Sequence, residues 1–306
     1  MTHYFNDETI ENQTLVQSVL QSSGLLFLQG KTSRLPGGSK SYAFRVNNYI
    51  VRFPKAKTIF QSQQREAKIS NLLRDNLPLR WQNKVANVRC HDQSAYPFAY
   101  HKQIKGKICD NFRGETEYNT CYANLSNTQK DLFAADIADF LTELHTIKFS
   151  ATNPMAESWN FLQKKDFNYQ LCRNLIFQYS HGKIDLDHFA TGISNNDFVF
   201  AHNDMSGSNL AVDETQTHIL QGILDFGNAG YMPRINDFFP YYKISRRLAR
   251  QIILNYNQKS SKPIFLQETD YIALVYCGYS LCQSEKQGKP PFGFILTMLD
   301  NFIKDL

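Results

Sequence analysis

The segment FVFAHNDMSGSNLAV, residues 198–212, combines a histidine, an aspartate and two asparagines with apolar residues on both sides. Its spacing, His202-x-Asp204-x-x-x-x-Asn209, places a carboxylate and an amide five positions apart in a predicted turn between two short strands. A carboxylate in such a turn can accept a proton from a hydroxyl group, so Asp204 is a candidate general base. Each of these residues, taken alone, is also typical of a turn that caps a hairpin.

A further aspartate, Asp225, follows in the segment ILDFG. The alternation in LAVDETQTHILQGIL, residues 210–224, predicts two short strands with a turn near residues 214–217, and such a hairpin would bring Asp225 to face Asn209. One carboxylate and one amide oxygen suit Mg²⁺, which keeps several waters and also takes phosphate oxygens from a substrate. The spacing H-x-D-x-x-x-x-N followed by D-F-G is that of the phosphate-transfer site of kinases.

The elements that must position these residues form two groups, of which the first is rich in strands. Residues 9–23 predict an amphipathic helix, and the runs GLLFLQ, SYAFRV and YIVRF predict strands, the last two joined by a turn at Asn47–Asn48. A helix is predicted at residues 59–78 and a further strand in YPFAYHKQIKG. We therefore expect residues 1–105 to form a small lobe with an antiparallel sheet and one main helix.

The pattern beyond residue 105 is mainly helical. Residues 126–147 have an apolar helical face and begin with Ser126 as a candidate N-cap. Residues 158–180 predict another helix, and residues 236–306 predict mostly helices. The expected fold is α+β with two lobes, in which residues 106–306 form the larger, mainly helical lobe.

Composition argues against several classes of protein. The chain has 306 residues, 42% apolar residues and a formal net charge of +5, and its scattered Lys and Arg residues do not favour a nucleic-acid-binding tail. No apolar run approaches the roughly 18 residues of a membrane span, and the polar, acidic N-terminus does not resemble a signal peptide. The six cysteines form no C-x-x-C pair, so we expect reduced thiols in a cytoplasmic protein.

From about residue 24 to 240 the chain resembles the aminoglycoside phosphotransferase and choline kinase family, the small-molecule branch of the protein-kinase-like fold. The matching segments are HNDMSGSNL, GILDFGNAGYMPRINDF and ADFLTELHTI, while YIVRFPK and YPFAYHKQIKG resemble aminoglycoside 2″-phosphotransferases in particular. The resemblance implies a nucleotide-binding lobe at residues 1–105, a catalytic and acceptor-binding lobe at residues 106–306, Mg²⁺, and ATP or GTP as co-substrate. It assigns Asp204 as the catalytic base, Asn209 and Asp225 as metal ligands, and His202 and Asp237 as structural residues.

The resemblance also implies phosphate contacts in the first lobe. Gly37, Gly38 and Ser39, in LPGGSKSYAF, would lie in a flap over the phosphates, although a Pro-Gly-Gly turn is also an ordinary hairpin loop. Arg52 stands where the family has a lysine. An arginine there could bind phosphate and pair with Glu66, or could lie on a solvated strand face.

The segment HKQIKG would be the hinge between the two lobes. By the family pattern, the backbone C=O of Lys102 and the backbone N–H of Ile104 would hold the purine ring of the nucleotide. Backbone contacts leave no signature in the side chains, so the segment is equally typical of a plain linker.

The acceptor region departs from the family pattern. Aminoglycosides are polycations and need an acidic cleft. Here the segment PYYKISRRLARQ is basic where the family is acidic, with Lys243, Arg246, Arg247 and Arg250. These residues would either face the acceptor or form a solvated helix face, and acids from elsewhere could line the cleft instead, such as Glu115, Glu117 and Asp270.

Three functions are compatible with these observations. The first is a kinase of a small-molecule hydroxyl, either a neutral or anionic acceptor or, alternatively, an aminoglycoside as in antibiotic resistance. The second is a kinase-fold protein with a protein acceptor, against which the missing Ala-Pro-Glu segment after Asp225 argues. The third is a non-catalytic nucleotide-binding module, against which the joint presence of Asp204, Asn209 and Asp225 argues. No nucleic-acid or membrane partner is expected, and the oligomeric state stays open.

Overall fold

The computed structural model describes residues 13–35, 40–94, 96–113, 117–148, 167–190, 197–213, 215 and 218–304. The chain divides into two compact units. The first unit consists of Met1–Lys105 together with Gly222–Asn228, and the second of Gly106–Gln221 together with Ala229–Leu306. The short segment that follows residue 221 therefore belongs to the unit that is otherwise formed by the N-terminal third of the chain.

The first unit is built on a five-stranded antiparallel sheet. Its elements are α1 (Gln13–Ser22), β1 (Thr32–Arg34), β2 (Ser41–Val46), β3 (Tyr49–Pro54), α2 (Lys57–Asn76), α3 (Leu79–Gln82), β4 (Arg89–His91) and β5 (Phe98–Lys102). The strand order is β1-β2-β3-β5-β4. The predicted turn between β2 and β3 is confirmed: Asn47 has a φ of 53°, a left-handed conformation that asparagine tolerates well.

The two faces of this sheet differ because alternate residues of a strand point to opposite sides. Val51, Phe53 and Phe98 pack on one face in a core that α1 and β2 complete. Arg52 lies on the other face, paired in register with Ala99 of β5. The sheet therefore carries its apolar core on the α1 side and presents Arg52 on the side of α2.

The predicted strand at GLLFLQ is wrong. Residues Leu26–Leu28 form a short 3₁₀ turn instead, in which the backbone N–H of Leu28 donates to the carbonyl of Leu25 at 2.9 Å. The turn buries Leu28 completely and leaves Leu26 76% exposed. A short apolar run lacks the periodicity that separates strand from turn, and here local hydrogen bonds determined the outcome.

The second unit contains the remaining elements, and its five helices within the described ranges hold more residues than its short strands. These elements are β6 (Lys107–Ile108), β7 (Asp110–Arg113), β8 (Glu117–Thr120), α4 (Asn127–Leu144), α5 (Tyr169–Tyr179), β9 (Phe198–Ala201), β10 (Leu210–Val212), β11 (Leu220–Ile223), β12 (Gly230–Pro233), α6 (Arg246–Asn257), α7 (Leu266–Lys286) and α8 (Gly293–Lys304). The last two residues of β11 belong to the first unit. The predicted α+β class is confirmed, and the two strands predicted in residues 210–224 are β10 and β11.

Helix α4 begins as predicted. Ser126 Oγ accepts a hydrogen bond from the backbone N–H of Gln129, whose side chain accepts one from the backbone N–H of Ser126. This reciprocal capping box satisfies two N–H groups that the helix cannot satisfy itself. Helix α5 begins only at Tyr169; residues 158–166 of the predicted helix lie outside the described residues.

The helical part of the second unit has an aromatic core. Five of the six tyrosines between residues 241 and 279 are buried: Tyr241, Tyr242, Tyr256, Tyr276 and Tyr279. Their burial explains the aromatic content of this region by packing. Within the described ranges, none of the helices has the length and hydrophobicity that crossing a membrane requires.

Candidate active site

The loop between β9 and β10 contains two of the predicted site residues. The Asn209 side-chain Nδ2 donates to the backbone carbonyl of Asp204 at 2.8 Å. The Asn209 backbone N–H donates to the carbonyl of Ser206 at 2.9 Å, which closes a single 3₁₀ turn before β10. Because the amide nitrogen is used within the loop, Oδ1 is the end of this side chain that can serve as a cation ligand.

Asp204 is half-buried, and its neighbours orient it. Its Oδ1 accepts a hydrogen bond from Ser206 Oγ at 3.2 Å. Its backbone N–H donates to Nδ1 of His202, a fully buried residue, at 3.2 Å. The contact with Ser206 engages Oδ1 of this carboxylate.

The carboxylate of Asp237 binds the backbone of this loop just before Asp204. This fully buried carboxylate accepts the backbone N–H of His202 at 2.9 Å through Oδ2 and the backbone N–H of Asn203 at 2.6 Å through Oδ1. Asn203 has a φ of 64°, in the sparsely populated left-handed region. Two hydrogen bonds to a carboxylate therefore stabilise a left-handed backbone turn directly before Asp204.

In the first unit, β3 and α2 bring Arg52 and Glu66 together. Arg52 Nη2 lies 2.5 Å from Glu66 Oε2, and the two side chains are 20% and 4% exposed. This pair excludes the alternative that Arg52 lies on a solvated strand face. Burial by itself lowers the pKa of Arg52, but the carboxylates of Glu66 and Asp225 outweigh it and the net pKa is raised.

One end of the Arg52 guanidinium has no protein partner among the described residues. Its Nε atom is buried without a hydrogen bond there. A buried N–H group left unpaired costs about 1–3 kcal/mol. An anionic oxygen from a ligand would remove that cost, so Arg52 is suited to bind a phosphate.

Asp225 also lies in the first unit, in an unusual backbone conformation. Its φ is 59°, in the left-handed region. A Cβ atom at Gly227 would lie 3.2 Å from Asp225 Oδ1 and 3.0 Å from Ser62 Oγ of α2. Glycine at this position therefore keeps the space beside the Asp225 carboxylate open.

The predicted hinge residues follow the end of β5. The backbone carbonyl of Lys102 accepts a hydrogen bond from Nδ1 of His101 at 2.9 Å, which requires a proton on Nδ1. The Ile104 side chain packs in an apolar cluster with Ala99 and Leu224. These contacts leave the assignment of Lys102 and Ile104 as purine-binding residues a prediction.

His101 was not singled out by the sequence. It is only 7% exposed, and burial, with a smaller contribution from the positive charge of Arg52, lowers its pKa to about 4. The ring is therefore neutral at physiological pH. His101 lies two residues after Ala99, which pairs with Arg52 of β3, so His101 is on the face of the sheet that carries Arg52. This spacing is the sequence signal that could have identified it.

The structure assembles the predicted residues in two groups. The first unit brings together Arg52, Glu66 and Asp225, and the second unit brings together Asp204 and Asn209. Lys102 and Ile104 belong to the first unit. The predicted flap residues, Gly37, Gly38 and Ser39, lie outside the described residues.

Arg246 corrects the sequence-based view of the acceptor region. It neither faces an acceptor nor lies on a solvated helix face, because it is 6% exposed and its Nη2 lies 2.7 Å from Asp270 Oδ2. Asp270 also accepts the hydroxyl of Tyr242 at 2.5 Å and is equally buried. The suggestion that Asp270 lines an acidic cleft is therefore wrong. Glu115 lies outside the described residues.

Two more basic residues of this region are paired with acids. Arg234 Nε lies 2.8 Å from Asp197 Oδ2, and Lys259 forms an ion pair with Asp139. Lys243 stands over two aromatic rings, with its Nζ 5.2 Å from the centroid of Tyr276 and 5.0 Å from that of Phe294. Three of the six basic residues between 231 and 260 are thus neutralised within the second unit: Arg234, Arg246 and Lys259.

A sequence model of the phosphotransferase enzyme family matches residues 31–261 of this chain. The match includes the Asp204 loop, Asp225, Arg52 and Glu66. It ends in the loop after α6, so α7 and α8 lie beyond it.

Solved structures with the same fold were also found. Aminoglycoside 2'-phosphotransferase-IIIa in complex with GDP is 17% identical, with a TM-score of 0.66 over 96% of this chain and 99% of that chain. An ADP-bound aminoglycoside phosphotransferase, APH(2'')-Ib, is 21% identical, with a TM-score of 0.60 over 96% and 97%. A macrolide 2'-phosphotransferase from Brachybacterium faecium, solved as the apoenzyme, is 11% identical, with a TM-score of 0.64 over 91% and 94%. At these identities the likeness establishes the fold.

Proposed function

We propose that this chain, which belongs to the phosphotransferase enzyme family, transfers the γ-phosphate of ATP or GTP to a hydroxyl group of a small molecule. The observation that carries the proposal is the loop of Asp204 and Asn209, in which one side chain is oriented as a base and the other presents an amide oxygen. Membership of this family establishes that the chain is a phosphotransferase. The nucleotide, the metal and the acceptor are parts of the proposal.

In the second unit, Asp204 would act as the general base. The hydroxyl proton of the acceptor passes to Oδ2 of Asp204 while the acceptor oxygen forms its bond to the γ-phosphorus and the bond to the leaving nucleoside diphosphate breaks. Ser206 orients the carboxylate through Oδ1, and Asp237 fixes the backbone before it. Most of the rate acceleration comes from this positioning, since phosphate transfer needs little covalent help from the protein.

In the first unit, Arg52 would bind a phosphate oxygen of the nucleotide. Its Nε is the buried N–H group without a partner among the described residues, while Nη2 is held by Glu66. The guanidinium group can thereby donate to a carboxylate from Nη2 and to a phosphate oxygen from Nε. The flap residues Gly37, Gly38 and Ser39 are proposed to donate further backbone N–H groups to the phosphates.

A magnesium ion fits the donor set of this chain. Asn209 would supply Oδ1, since its nitrogen is already used within the loop, and Asp225 would supply a carboxylate oxygen. These are hard oxygen donors of the type that Mg²⁺ prefers, few enough to leave positions for water and phosphate. When bound, the ion neutralises charge on the phosphate oxygens. Asn209 and Asp225 are the residues proposed to hold it.

The purine ring is proposed to bind to the backbone of the hinge, through the C=O of Lys102 and the N–H of Ile104. The Lys102 carbonyl has a second lone pair beyond the one used by His101, so the contact is chemically possible. The apolar cluster that contains Ile104 and Leu224 is suited to a flat ring. The choice between ATP and GTP is left to measurement.

The acceptor is proposed to be neutral or anionic. Residues 231–260 contain six basic residues and one acid, Asp237, and that acid is used by the backbone of the Asp204 loop. Ion pairs with acids from outside this range neutralise three of the six bases, Arg234, Arg246 and Lys259. The alternative acceptor is an aminoglycoside, since kanamycin and gentamicin occupy the structures of proteins with this fold. We propose neither a nucleic-acid nor a membrane partner.

We propose a cytoplasmic location for the enzyme. Nucleoside triphosphates are needed as co-substrate, and Cys90, Cys109, Cys172, Cys277 and Cys282 are free thiols. Reduced thiols are typical of the cytoplasm.

A panel of hydroxyl compounds with labelled ATP and GTP tests the proposed function. The panel should contain sugars, nucleosides, phosphorylated metabolites, macrolides and aminoglycosides, and each reaction should be repeated with the Asp204→Asn chain to exclude a contaminating kinase. Transfer to at least one acceptor by the wild-type chain alone supports the proposal. If neither nucleotide binds, or if both bind without transfer or hydrolysis, the chain is a non-catalytic module and the proposal fails.

A further inference from the structure

A chain of hydrogen bonds runs through the second unit to the loop that carries Asp204. Arg234 Nη1 donates to the hydroxyl of Tyr256 at 2.8 Å. The Tyr256 hydroxyl lies 2.9 Å from Nδ1 of His145, and Nε2 of His145 lies 3.1 Å from Oδ2 of Asp237. Asp237 is the carboxylate that accepts the backbone N–H groups directly before Asp204.

The residues of this hydrogen-bond network are buried, and they come from separate elements. Tyr256 lies on α6 and is 1% exposed, and His145 follows the end of α4 with a side chain that is 2% exposed. Arg234 starts the 3₁₀ turn that ends at Asp237. A buried polar network of this kind is rigid when every member is satisfied.

The positions of the protons follow from the chemistry of the partners. A carboxylate of Asp237 that also accepts two backbone N–H groups can only accept, so Nε2 of His145 must carry the proton of their hydrogen bond. Arg234 can only donate, so the phenol oxygen of Tyr256 accepts from it. In the tautomer of His145 that carries its proton on Nε2, Nδ1 accepts the phenol O–H. Burial raises the pKa of Tyr256, which keeps that proton in place at neutral pH.

We propose that Tyr256, oriented by Arg234, is a positioning residue for phosphate transfer. Its hydroxyl holds His145 in the tautomer that donates from Nε2 to Asp237, and Asp237 in turn fixes the left-handed backbone turn before Asp204. The inference rests on the proposed role of Asp204 as base.

The hydroxyl can be separated from the ring by substitution. The Tyr256 ring packs edge-on against His145, with centroids 5.5 Å apart, and against Phe238, with centroids 5.0 Å apart. Tyr256→Phe keeps both ring contacts and removes only the hydroxyl. Tyr242→Phe is the matched control, because it removes a buried hydroxyl of the same unit that is bonded to Asp270 and not to the loop.

¹⁵N NMR of the His145 imidazole tests the first part of the inference without any need for turnover. The wild-type chain should show protonated Nε2 and unprotonated, hydrogen-bonded Nδ1. Tyr256→Phe should shift the Nδ1 resonance, while Tyr242→Phe should leave it in place. A wild-type Nδ1 that is protonated, or an Nδ1 resonance that Tyr256→Phe leaves unchanged, would overturn the inference.

Kinetics of ATP and GTP hydrolysis in the presence of Mg²⁺ test the second part, with water as the acceptor. Tyr256→Phe should lower kcat about 10- to 100-fold, because misplacement of a reacting group by about 1 Å can cost about 100-fold. KM for the nucleotide should change less than about twofold, and Tyr242→Phe should keep the wild-type kcat. A wild-type kcat in Tyr256→Phe would overturn the inference.

A double-mutant cycle with His145→Gln separates positioning from packing. If Tyr256 acts through His145, Tyr256→Phe should have almost no further effect on kcat in the His145→Gln chain. A full, additive loss would show that Tyr256 acts by another route. Asp204→Asn distinguishes the two proposals: if it abolishes hydrolysis but Tyr256→Phe does not, only the role of Tyr256 fails, whereas hydrolysis that survives Asp204→Asn refutes the proposed function.

Discussion

At the scale of single residues, the proposed chemistry depends on how neighbours constrain otherwise ordinary side chains. Aspartate is a common surface residue type, and what sets Asp204 apart is the hydrogen bond from Ser206 to one oxygen and a backbone turn fixed by Asp237. Asn209 has its nitrogen bonded within the loop, which directs its oxygen elsewhere. Three predictions belong to this scale.

Asp204→Asn should lower kcat of phosphate transfer about 10²- to 10⁴-fold, the usual contribution of a general base. Nucleotide affinity should stay nearly unchanged, because the base is proposed to contact the acceptor. Steady-state kinetics and calorimetric titration with ATP and GTP measure the two effects. Asp213→Asn, in the same hairpin just after β10, is the control. A variant that keeps more than about a tenth of the wild-type kcat shows that Asp204 is not the base.

Nucleotide affinity should fall about tenfold or more, ~1.4 kcal/mol of binding free energy, when Mg²⁺ is replaced by excess chelator. The reason is the proposed pair of oxygen ligands, Asn209 and Asp225, which would connect the nucleotide to the protein through the ion. Asp225→Asn should remove most of this metal dependence, and Asp300→Asn, at an exposed position of α8, should keep it. Equal affinity of the wild-type chain with Mg²⁺ and with chelator speaks against the metal assignment.

His101 should make the free energy of unfolding depend on pH. Its pKa is about 4 in the folded chain and near the ordinary 6.5 in the unfolded chain, so between these values the unfolded chain binds more protons. Stability contributed by the neutral ring is therefore complete above pH 6.5 and is lost as the pH falls towards 4, by about 2 kcal/mol between pH 7 and pH 5. Urea unfolding at both pH values measures it.

The matched variants for this prediction are His101→Gln and His188→Gln, which removes an exposed histidine. The loss of stability between pH 7 and pH 5 should shrink in His101→Gln and persist in His188→Gln. If all three chains lose the same free energy, His101 does not carry the pH dependence.

At the scale of elements, α6 and α7 are joined by a buried ion pair. From the sequence alone, its arginine would be placed on a solvated helix face. Arg246 and Asp270 have side chains that are each 7% exposed, and Tyr242 adds a third polar contact. Breaking such a pair leaves one charge buried without its partner. Removal of either partner would therefore weaken the contact between these two helices.

Arg246→Met should destabilise the chain by about 3–5 kcal/mol, the usual cost of removing one partner of a buried pair. Lys259→Met breaks the ion pair between Lys259 and Asp139, whose side chains are 47% and 26% exposed. Because this pair is solvated, its loss should lower the free energy of unfolding by less than about 1 kcal/mol. Denaturant unfolding of both variants at one pH compares the two losses. Equal losses would mean that the Arg246–Asp270 pair is not shielded from water.

At the scale of the whole molecule, the chain carries a formal net charge of +5 and uses several of its acids internally. Asp197, Asp270 and Asp139 neutralise basic residues of the region after β12, and Asp237 accepts backbone N–H groups. A polycationic acceptor would therefore find few carboxylates there. This charge distribution supports the proposed preference for a neutral or anionic acceptor.

Kanamycin and gentamicin should be poor acceptors, with kcat/KM below about 10⁴ M⁻¹s⁻¹, the lower end of ordinary enzyme efficiency. Each like-charge contact near a protein surface costs on the order of a kcal/mol or more, and an aminoglycoside would make several. Steady-state kinetics with both antibiotics and both nucleotides measure this. Efficiency at or above that value would replace the present acceptor proposal with the aminoglycoside alternative.

Much of the local structure could be predicted because local causes decide it. The capping box that starts α4 involves residues three positions apart, and the turn at Asn47 depends on the tolerance of one residue for positive φ. The H-x-D-x-x-x-x-N spacing likewise lies within one loop. The short apolar run at Leu26–Leu28 has neither a capping residue nor a clear periodicity, and the strand predicted there was wrong.

By itself, the sequence determined the α+β class, the family, and the residues proposed for catalysis, since these depend on periodicity and on spacing within short segments. Only the tertiary structure decided the partners of the charges. Asp237 contacts N–H groups more than 30 positions away, and Arg246 meets Asp270 across 24 positions. A charged residue has the same letter whether it is solvated or buried. Its free energy, and with it its role, depends on burial and on a distant partner that no local pattern encodes.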